Sequence, residues 1–263
     1  MTHRLWQACI ALVSLFCASA AEAETAVDLE LVLAVDTSRS MDRDELTLQR
    51  EGYAAALEHP AVASALASGP LGKAAIMYFE WGGPGWHRVL VPWTLIETPE
   101  DARAVAATLR TQPIAGQRGT SISDAMERAA ERIETNAFEG TRKVIDISGD
   151  GPNNQGRPVL EVRAEVAAKG IEINGLPFMI KEPGGAYSIE DLDIYYETCV
   201  ITGENAFVIP IFRMDRLVAS IRQKLVLEVS GRPGPPNTRV RPALAATDCM
   251  IGEKLRNRRE WER

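Results

Sequence analysis

The feature that most limits the possible folds is an alternation of short apolar runs with longer amphipathic segments. The first run, residues 29–35, is almost entirely apolar, which is typical of a strand buried on both faces of a sheet. The segments between the runs, such as residues 42–57 and 120–134, repeat their apolar positions at helical spacing. Strands are predicted at residues 29–35, 73–81, 86–93, 143–148, 170–176 and 206–210.

This alternation predicts an α/β fold in which a doubly wound, mostly parallel sheet has helices on both faces. A turn at residues 82–85 (GGPG) separates two predicted strands, so the second is expected to return antiparallel beside the first. Pro92 places that returning strand at an edge of the sheet, because proline cannot donate to a ladder. In such sheets ligands bind at the carboxyl ends of the strands, so the functional residues are expected there.

The two ends of the chain differ from the middle. Residues 1–23 carry Arg4, a short apolar stretch and small residues, which predicts a signal peptide cleaved after Ala20 or Ala23. The apolar stretch is shorter than the ~20 residues that span a bilayer, so no stable membrane span is expected after cleavage. Residues 24–230 form the predicted domain. Residues 231–263 contain a turn-rich linker and a charged C-terminal tail, and a solvated tail is favoured over a docking helix.

The signal peptide predicts a periplasmic or secreted protein. After cleavage two cysteines remain, and in an oxidising compartment they suggest a Cys199–Cys249 disulfide, with two unrelated thiols as the alternative. The formal net charge of -7 argues against nucleic acid as a partner. The 3 histidines are too scattered for a histidine metal cluster.

Three segments carry oxygen-bearing side chains where predicted strands end or helices begin. Asp36, Ser38 and Ser40 alternate along the exit from the first strand, so all three can point to one side. Thr120 starts a helix after a loop, and Asp150 follows another strand. Hydroxyl and carboxylate oxygens suit a hard divalent cation, Mg²⁺ first and then Mn²⁺ or Ca²⁺. These donors would leave a coordination position open, which an Asp or Glu of a protein partner can fill.

Each of these residues also has an ordinary structural alternative. Asp36 and Ser38 could cap the following helix, and Thr120 could be an N-cap. Asp150 could be a turn residue before Gly151.

The motifs D-T-S-R-S at residues 36–40, G-T-S at 119–121 and G-D-G at 149–151 together resemble the metal-ion-dependent adhesion site of von Willebrand factor type A domains. The family pattern maps onto Asp36, Ser38, Ser40, Thr120 and Asp150. The resemblance covers about residues 27–229 and implies a Rossmann-like fold. It also implies that the serines and the threonine contact the metal directly, that the aspartates act largely through water, and that the threonine loop can shift on ligand binding.

The family usually has threonine before its last aspartate, where this chain has Gly149. The stretches YFEW, VPWT and AFVIP also resemble a group of exported bacterial proteins with this fold and with unknown function.

We therefore predict an exported, metal-dependent protein-binding module and not an enzyme. One alternative is a magnesium-dependent phosphoryl-transfer hydrolase, but position 38 is then expected to be an acid, with a lysine near the phosphate. Another is a scaffold with a vestigial metal site. The sequence contains neither G-x-S-x-G nor a phosphate-binding G-x-x-x-x-G-K-[ST] loop. Asn153 and Asn154 could shape the rim of the site or be ordinary loop residues.

Overall fold

The computed structural model describes residues 24–180, 188–235 and 247–261. The predicted signal peptide, residues 1–23, lies outside the described residues. Within those three ranges, no helix combines the length and the apolar character needed to cross a membrane.

The protein is built on a 5-stranded sheet with the strand order β3-β2-β1-β4-β5. The strands are β1 (Thr25–Asp36), β2 (Ala74–Trp81), β3 (His87–Ile96), β4 (Phe138–Gly149) and β5 (Glu172–Pro177). The central strand β1 pairs in parallel with both β2 and β4, and β4 pairs in parallel with β5. Only the β2–β3 pairing is antiparallel among the described strands. The predicted mostly parallel sheet with one antiparallel edge strand is confirmed.

Helices cover both faces of the sheet. They are α1 (Arg43–Leu57), α2 (Pro60–Ala67), α3 (Pro99–Thr111), α4 (Ile122–Glu134), α5 (Val159–Ala168), α6 (Leu192–Tyr195), α7 (Leu217–Ser230) and α8 (Ile251–Trp261), and α6 continues into a π-helical turn, Tyr196–Val200. Because successive strand residues point to opposite faces, β1 supplies Leu31 and Leu33 to a core with α1, α2, α3 and α7. Its Val32 and Ala34 pack on the other face with α4 and α5. This is the predicted doubly wound α/β fold.

The last predicted strand, residues 206–210, runs parallel to β5 but forms only isolated bridges. The Gly175 and Ile209 N–H groups complete two hydrogen bonds of 3.0 Å between the segments, and the Ile211 N–H donates to the Pro177 carbonyl at 2.9 Å. Pro177 has no N–H to donate to this segment, so a continuous ladder cannot form there. The segment therefore runs parallel to β5, as expected in a mostly parallel sheet, but it does not form the continuous strand that the sequence predicted.

The expectation of a solvated C-terminal tail is wrong for residues 249–256, whereas residues 257–259 and 261 are exposed. The predicted disulfide is present between Cys249 and the buried Cys199, and α8 follows it directly. Glu253 is buried, and Ile251 packs against the core. The charged sequence of α8 indicated solvent exposure, yet two of its charged side chains bind a loop of the domain.

A buried group of charged side chains lies between β4 and α7. Lys224 contacts Asp146 at 2.7 Å and also contacts Glu228, and all three side chains are at most 1% exposed. Asn174 donates to Glu228 at 3.2 Å. Burial, followed by the negative charge of Asp146, raises the pKa of Glu228 to about 7. Two acids therefore share one lysine in a part of the core that excludes water.

This arrangement predicts a pH dependence of stability. The pKa of Glu228 is about 7 in the folded protein, compared with 4.5 for an ordinary glutamate. Between pH 4.5 and pH 7 the folded state therefore binds more protons than the unfolded state. The free energy of unfolding should therefore fall as pH rises from about 4.5 to about 7. Glu228→Gln should flatten this fall, as measured by urea denaturation at pH 5, 6 and 8.

Glu204→Gln is the matched control, because Glu204 is exposed. A Glu228→Gln protein whose free energy of unfolding falls as much as that of the wild type between pH 5 and pH 8 would contradict the raised pKa of Glu228.

Candidate metal centre

The parallel pairing of β1 with β4 determines where the candidate site forms. Asp36 is the last residue of β1 and is fully buried. Its neighbour β4 ends at Gly149, and Asp150 follows at once. Because the strands run in the same direction, these two aspartates meet at the carboxyl edge of the sheet.

A chain of hydrogen bonds joins four of the five predicted residues. The Ser38 N–H donates to Asp36 Oδ1 at 2.6 Å, and the Ser38 hydroxyl donates to Asp36 Oδ2 at 3.1 Å. The Ser38 and Ser40 hydroxyl oxygens are 2.8 Å apart. The Ser40 hydroxyl donates to Asp150 Oδ1 at 2.6 Å. Side chains 110 residues apart in the sequence are thus brought together through their oxygens.

The fifth residue, Thr120, lies on an adjacent loop that is bonded to the exit of β1. The Arg39 N–H donates to the Gln117 carbonyl at 2.9 Å, and the Gln117 N–H donates to the Thr37 carbonyl at 3.0 Å. Thr120 is buried, and its N–H donates to Asn154 Oδ1 at 3.1 Å. The loop that carries Thr120 is therefore bonded both to the exit of β1 and to the loop that follows Asp150.

The helix-capping alternatives are not supported. The N-cap of α1 is Asp42, which accepts a backbone N–H of the first turn. The N-cap of α4 is Ser121. Asp36, Ser38 and Thr120 are therefore not needed to cap these helices.

Two asparagines connect the loop after Asp150 to the loop that carries Thr120. Asn154 accepts the Thr120 N–H through its side chain, and its own N–H donates to the Thr120 carbonyl at 3.0 Å. Asn153 Oδ1 accepts the Ser123 N–H at 3.0 Å. Both asparagines are buried, so they fix the relative position of the two loops. Of the two roles left open by the sequence, the structure favours that of shaping the rim.

Negative charge is concentrated at this edge. Burial and then the charge of Asp150 raise the pKa of Asp36 well above its ordinary value. The buried hydroxyl of Tyr196, in the π-helical turn, has no hydrogen-bond partner among the described residues. Burial and then the charge of Asp36 raise the pKa of Tyr196. Sequence reasoning missed Tyr196, because no motif links it to the segments that form the site.

The donor set determines which ligand fits. In the described ranges, no group of three or more His, Cys, Asp and Glu side chains is placed to hold a metal ion. A metal at this edge would therefore depend on serine and threonine hydroxyls as well as on the two carboxylates. Oxygen-only donors suit hard cations such as Mg²⁺, Mn²⁺ and Ca²⁺ and are poor ligands for soft ones.

Several solved structures share the fold. The pilus adhesin SpaC from Lactobacillus rhamnosus GG aligns with a TM-score of 0.59 at 11% identity, over 80% of this chain and 32% of the adhesin. Proximal thread matrix protein 1 from the mussel byssus, in a structure with a zinc-occupied MIDAS motif, aligns with a TM-score of 0.57 at 15% identity, over 79% of this chain and 49% of the mussel protein. This chain thus spans about half of the mussel protein and about a third of the adhesin.

A von Willebrand factor type A structure from Catenulispora acidiphila aligns with a TM-score of 0.50 at 15% identity, over 77% of this chain and 43% of that chain. At such identities the likeness concerns the fold. No curated protein matches the sequence. A family model described as "Protein of unknown function (DUF1194)" matches residues 26–233. The protein therefore has a von Willebrand factor type A-like fold and belongs to the family described as "Protein of unknown function (DUF1194)".

Proposed function

We propose that the protein is an exported module that binds an acidic side chain of a protein partner through a divalent cation. The observation that carries this proposal is the hydrogen-bond chain that joins two carboxylates through two serine hydroxyls at the carboxyl edge of the sheet. The residues proposed to hold the cation are Asp36, Ser38, Ser40, Thr120 and Asp150.

The charge and chemistry of the site favour a cation. Asp36 is fully buried, and its carboxylate lies one short hydroxyl chain away from that of Asp150. Two carboxylates so arranged repel each other, and a divalent cation between them would offset that repulsion. Mg²⁺ is our first choice, with Mn²⁺ or Ca²⁺ as alternatives, because all the donors are oxygens. The zinc-occupied motif of the mussel matrix protein supports divalent cation binding on this fold.

The partner's chemistry follows from the ligands that the site lacks. Mg²⁺ takes six oxygen ligands in a tight octahedron, and three hydroxyls with two carboxylates leave room for an external oxygen. A bound cation would supply an electrophilic position there, to which a carboxylate binds well. The adhesin and matrix proteins with this fold support a protein as the source of that carboxylate.

The residues favour binding over phosphoryl transfer. Ser38 stands where an aspartyl-phosphate enzyme is expected to have an acid. Lys143, the lysine on β4, lies 3.7 Å from Glu30 and from Glu139, near the amino end of the sheet. Glu30 is six residues before Asp36 on an extended strand, which corresponds to roughly 20 Å. Lys143 is therefore too far away to neutralise a phosphate at Asp36.

Export is supported by two independent features. The sequence predicts a signal peptide in residues 1–23. The disulfide between Cys199 and Cys249 fits an oxidising compartment outside the cytoplasm. The periplasm and the extracellular space are both consistent with these features.

The glycine at position 149 is compatible with the proposed site. A Cβ at Gly149 would lie 2.8 Å from Tyr196 Oη and 3.0 Å from Asp36 Oδ2, which is too close for ordinary packing. Tyr196 therefore fills the space that a side chain at position 149 would need. The family's threonine is replaced here without loss of any of the five proposed metal residues.

The metal site predicts that Mg²⁺ binding depends on Asp36 and Ser40. Isothermal titration calorimetry should show Mg²⁺ binding by the wild-type protein. Asp36→Asn and Ser40→Ala should each lower the affinity for Mg²⁺ by at least about tenfold, because each removes a ligand oxygen or a hydrogen bond that supports a ligand. Ser40 is exposed, so Ser40→Ala is expected to fold normally.

Asp44→Ala serves as the control, because Asp44 is an exposed acid in the first turn of α1. An oligoglutamate peptide titrated into the magnesium-containing protein tests the partner's chemistry, with an oligoglutamine peptide for comparison. Equal Mg²⁺ binding by wild type, Asp36→Asn and Ser40→Ala would exclude the site and would favour a scaffold role.

The binding role predicts that the protein does not turn over a generic phosphatase substrate. With Mg²⁺ and p-nitrophenyl phosphate, the rate of release of p-nitrophenol should equal that of the Asp36→Asn protein. Turnover by wild type that Asp36→Asn abolishes would instead establish the phosphoryl-transfer alternative.

The close contact at Gly149 predicts an interaction between positions 149 and 196. Gly149→Thr should lower the free energy of unfolding by about 1–3 kcal/mol, because the new side chain overpacks the site. Tyr196→Phe removes the hydroxyl that the new Cβ would meet, so Gly149→Thr should be less destabilising in the Tyr196→Phe background. Urea denaturation of the two single variants and the double variant measures this interaction. Additive effects would show that Tyr196 does not limit the space at position 149.

A further inference from the structure

The C-terminal helix α8 lies outside the residues that the family model matches, yet it packs against the loop that follows Asp150. Gly252 lies directly against this loop: a Cβ at this position would lie 2.0 Å from the Asn153 carbonyl oxygen and 3.2 Å from Pro152. Position 252 therefore has to be glycine for the helix to approach the loop this closely.

Two charged side chains of α8 bind this loop. Asn153 Nδ2 donates to Glu253 Oε1 at 2.7 Å, and Glu253 is buried. Arg256 Nη1 donates to the Asn154 carbonyl at 2.9 Å. One bond therefore orients the Asn153 side chain, and the other holds the backbone of Asn154.

The same two asparagines hold the loop that carries Thr120. Asn153 accepts the Ser123 N–H, and Asn154 accepts the Thr120 N–H. Two short chains of contacts thus run from α8 to the Thr120 loop and to the first turn of α4, which directly follows that loop. One connects Glu253 to Ser123 through Asn153, and the other connects Arg256 to Thr120 through Asn154.

A covalent bond holds the start of α8 in place. Cys249 precedes the helix and is bonded to Cys199 in the π-helical turn. Tyr195, beside that turn, accepts the Asn153 N–H through its hydroxyl oxygen at 3.2 Å. The disulfide, the turn and the loop after Asp150 therefore form one connected support around α8.

We propose that α8 is a positioning element of the metal centre, in which Glu253 and Arg256 hold the Thr120 loop through Asn153 and Asn154. The inference rests on the proposed function, because the expected effect of this support is a higher affinity for Mg²⁺. Groups that support metal ligands through hydrogen bonds typically contribute about 10–100-fold to metal affinity. Glu253 does not touch the metal in this proposal, and it acts only through Asn153.

The experiment compares Glu253→Ala, which removes the acceptor for Asn153, with Glu253→Gln, which retains an acceptor oxygen. Gly252→Ala displaces α8 by steric contact and leaves its polar groups unchanged. Arg258→Ala is the control, because Arg258 is exposed on the same helix. Calorimetry should show Mg²⁺ affinity reduced about 10–100-fold in Glu253→Ala and Gly252→Ala. It should show affinity near the wild-type value in Glu253→Gln and Arg258→Ala.

Hydrogen exchange provides a second readout that requires no metal. The Ser123 amide is bonded to Asn153, so it should exchange faster than in wild type in both Glu253→Ala and Gly252→Ala. The Thr120 amide is bonded to Asn154, so it should exchange faster in Gly252→Ala, which displaces the whole helix. Unchanged exchange at these amides in both variants would overturn the support role of α8.

The two measurements also separate this inference from the proposed function. If the wild-type protein does not bind Mg²⁺, the proposed function fails and the positioning role fails with it, even where exchange is faster. If the wild type binds Mg²⁺ and both variants bind it equally well despite faster exchange, only the positioning role is overturned. Faster exchange together with weaker binding supports both.

Discussion

The parallel pairing of β1 with its two neighbours is the constraint on which the candidate site depends. It brings the ends of β1 and β4 to one edge, so that two acids far apart in sequence share a chain of serine hydroxyls. The core supports this register on both faces, because alternate residues of β1 are buried against different helices. A shift by one residue would turn every one of those side chains to the wrong face. The position of Asp36 is therefore as well determined as the core itself.

The fold could be predicted from local sequence, and so could the placement of Asp36, Ser38 and Ser40 at the exit of β1 and of Asp150 directly after β4. Strand periodicity, the turn before β3 and the spacing of Asp36, Ser38 and Ser40 are readable without knowledge of distant contacts. The parts that escaped prediction depend on contacts between distant segments. Tyr196 reaches the site through a π-helical turn, and Glu253 is buried against an asparagine 100 residues away. Charge on α8 indicated exposure, because its binding partners belong to a loop that sequence alone does not bring near.

The loops at this edge are more closely connected to each other than their sequences indicate. The exit of β1 bonds to the loop before α4, that loop bonds to Asn153 and Asn154, and these bond to α8. Most of these bonds involve backbone groups, which would otherwise be buried without partners. The loops therefore satisfy each other's hydrogen bonds, and any shift of one loop requires an adjustment of the next. Such a connected set of bonds is well suited to hold several oxygen donors at fixed separations.

The prolines at the two sides of the sheet have a consequence for self-association. Pro92 lies on the edge strand β3, and Pro210 lies in the segment that runs along β5 opposite Pro177. Each removes an N–H that an added strand from another molecule would need. Growth of the sheet by strand addition, which leads to amyloid-like aggregates, is thereby disfavoured at both sides.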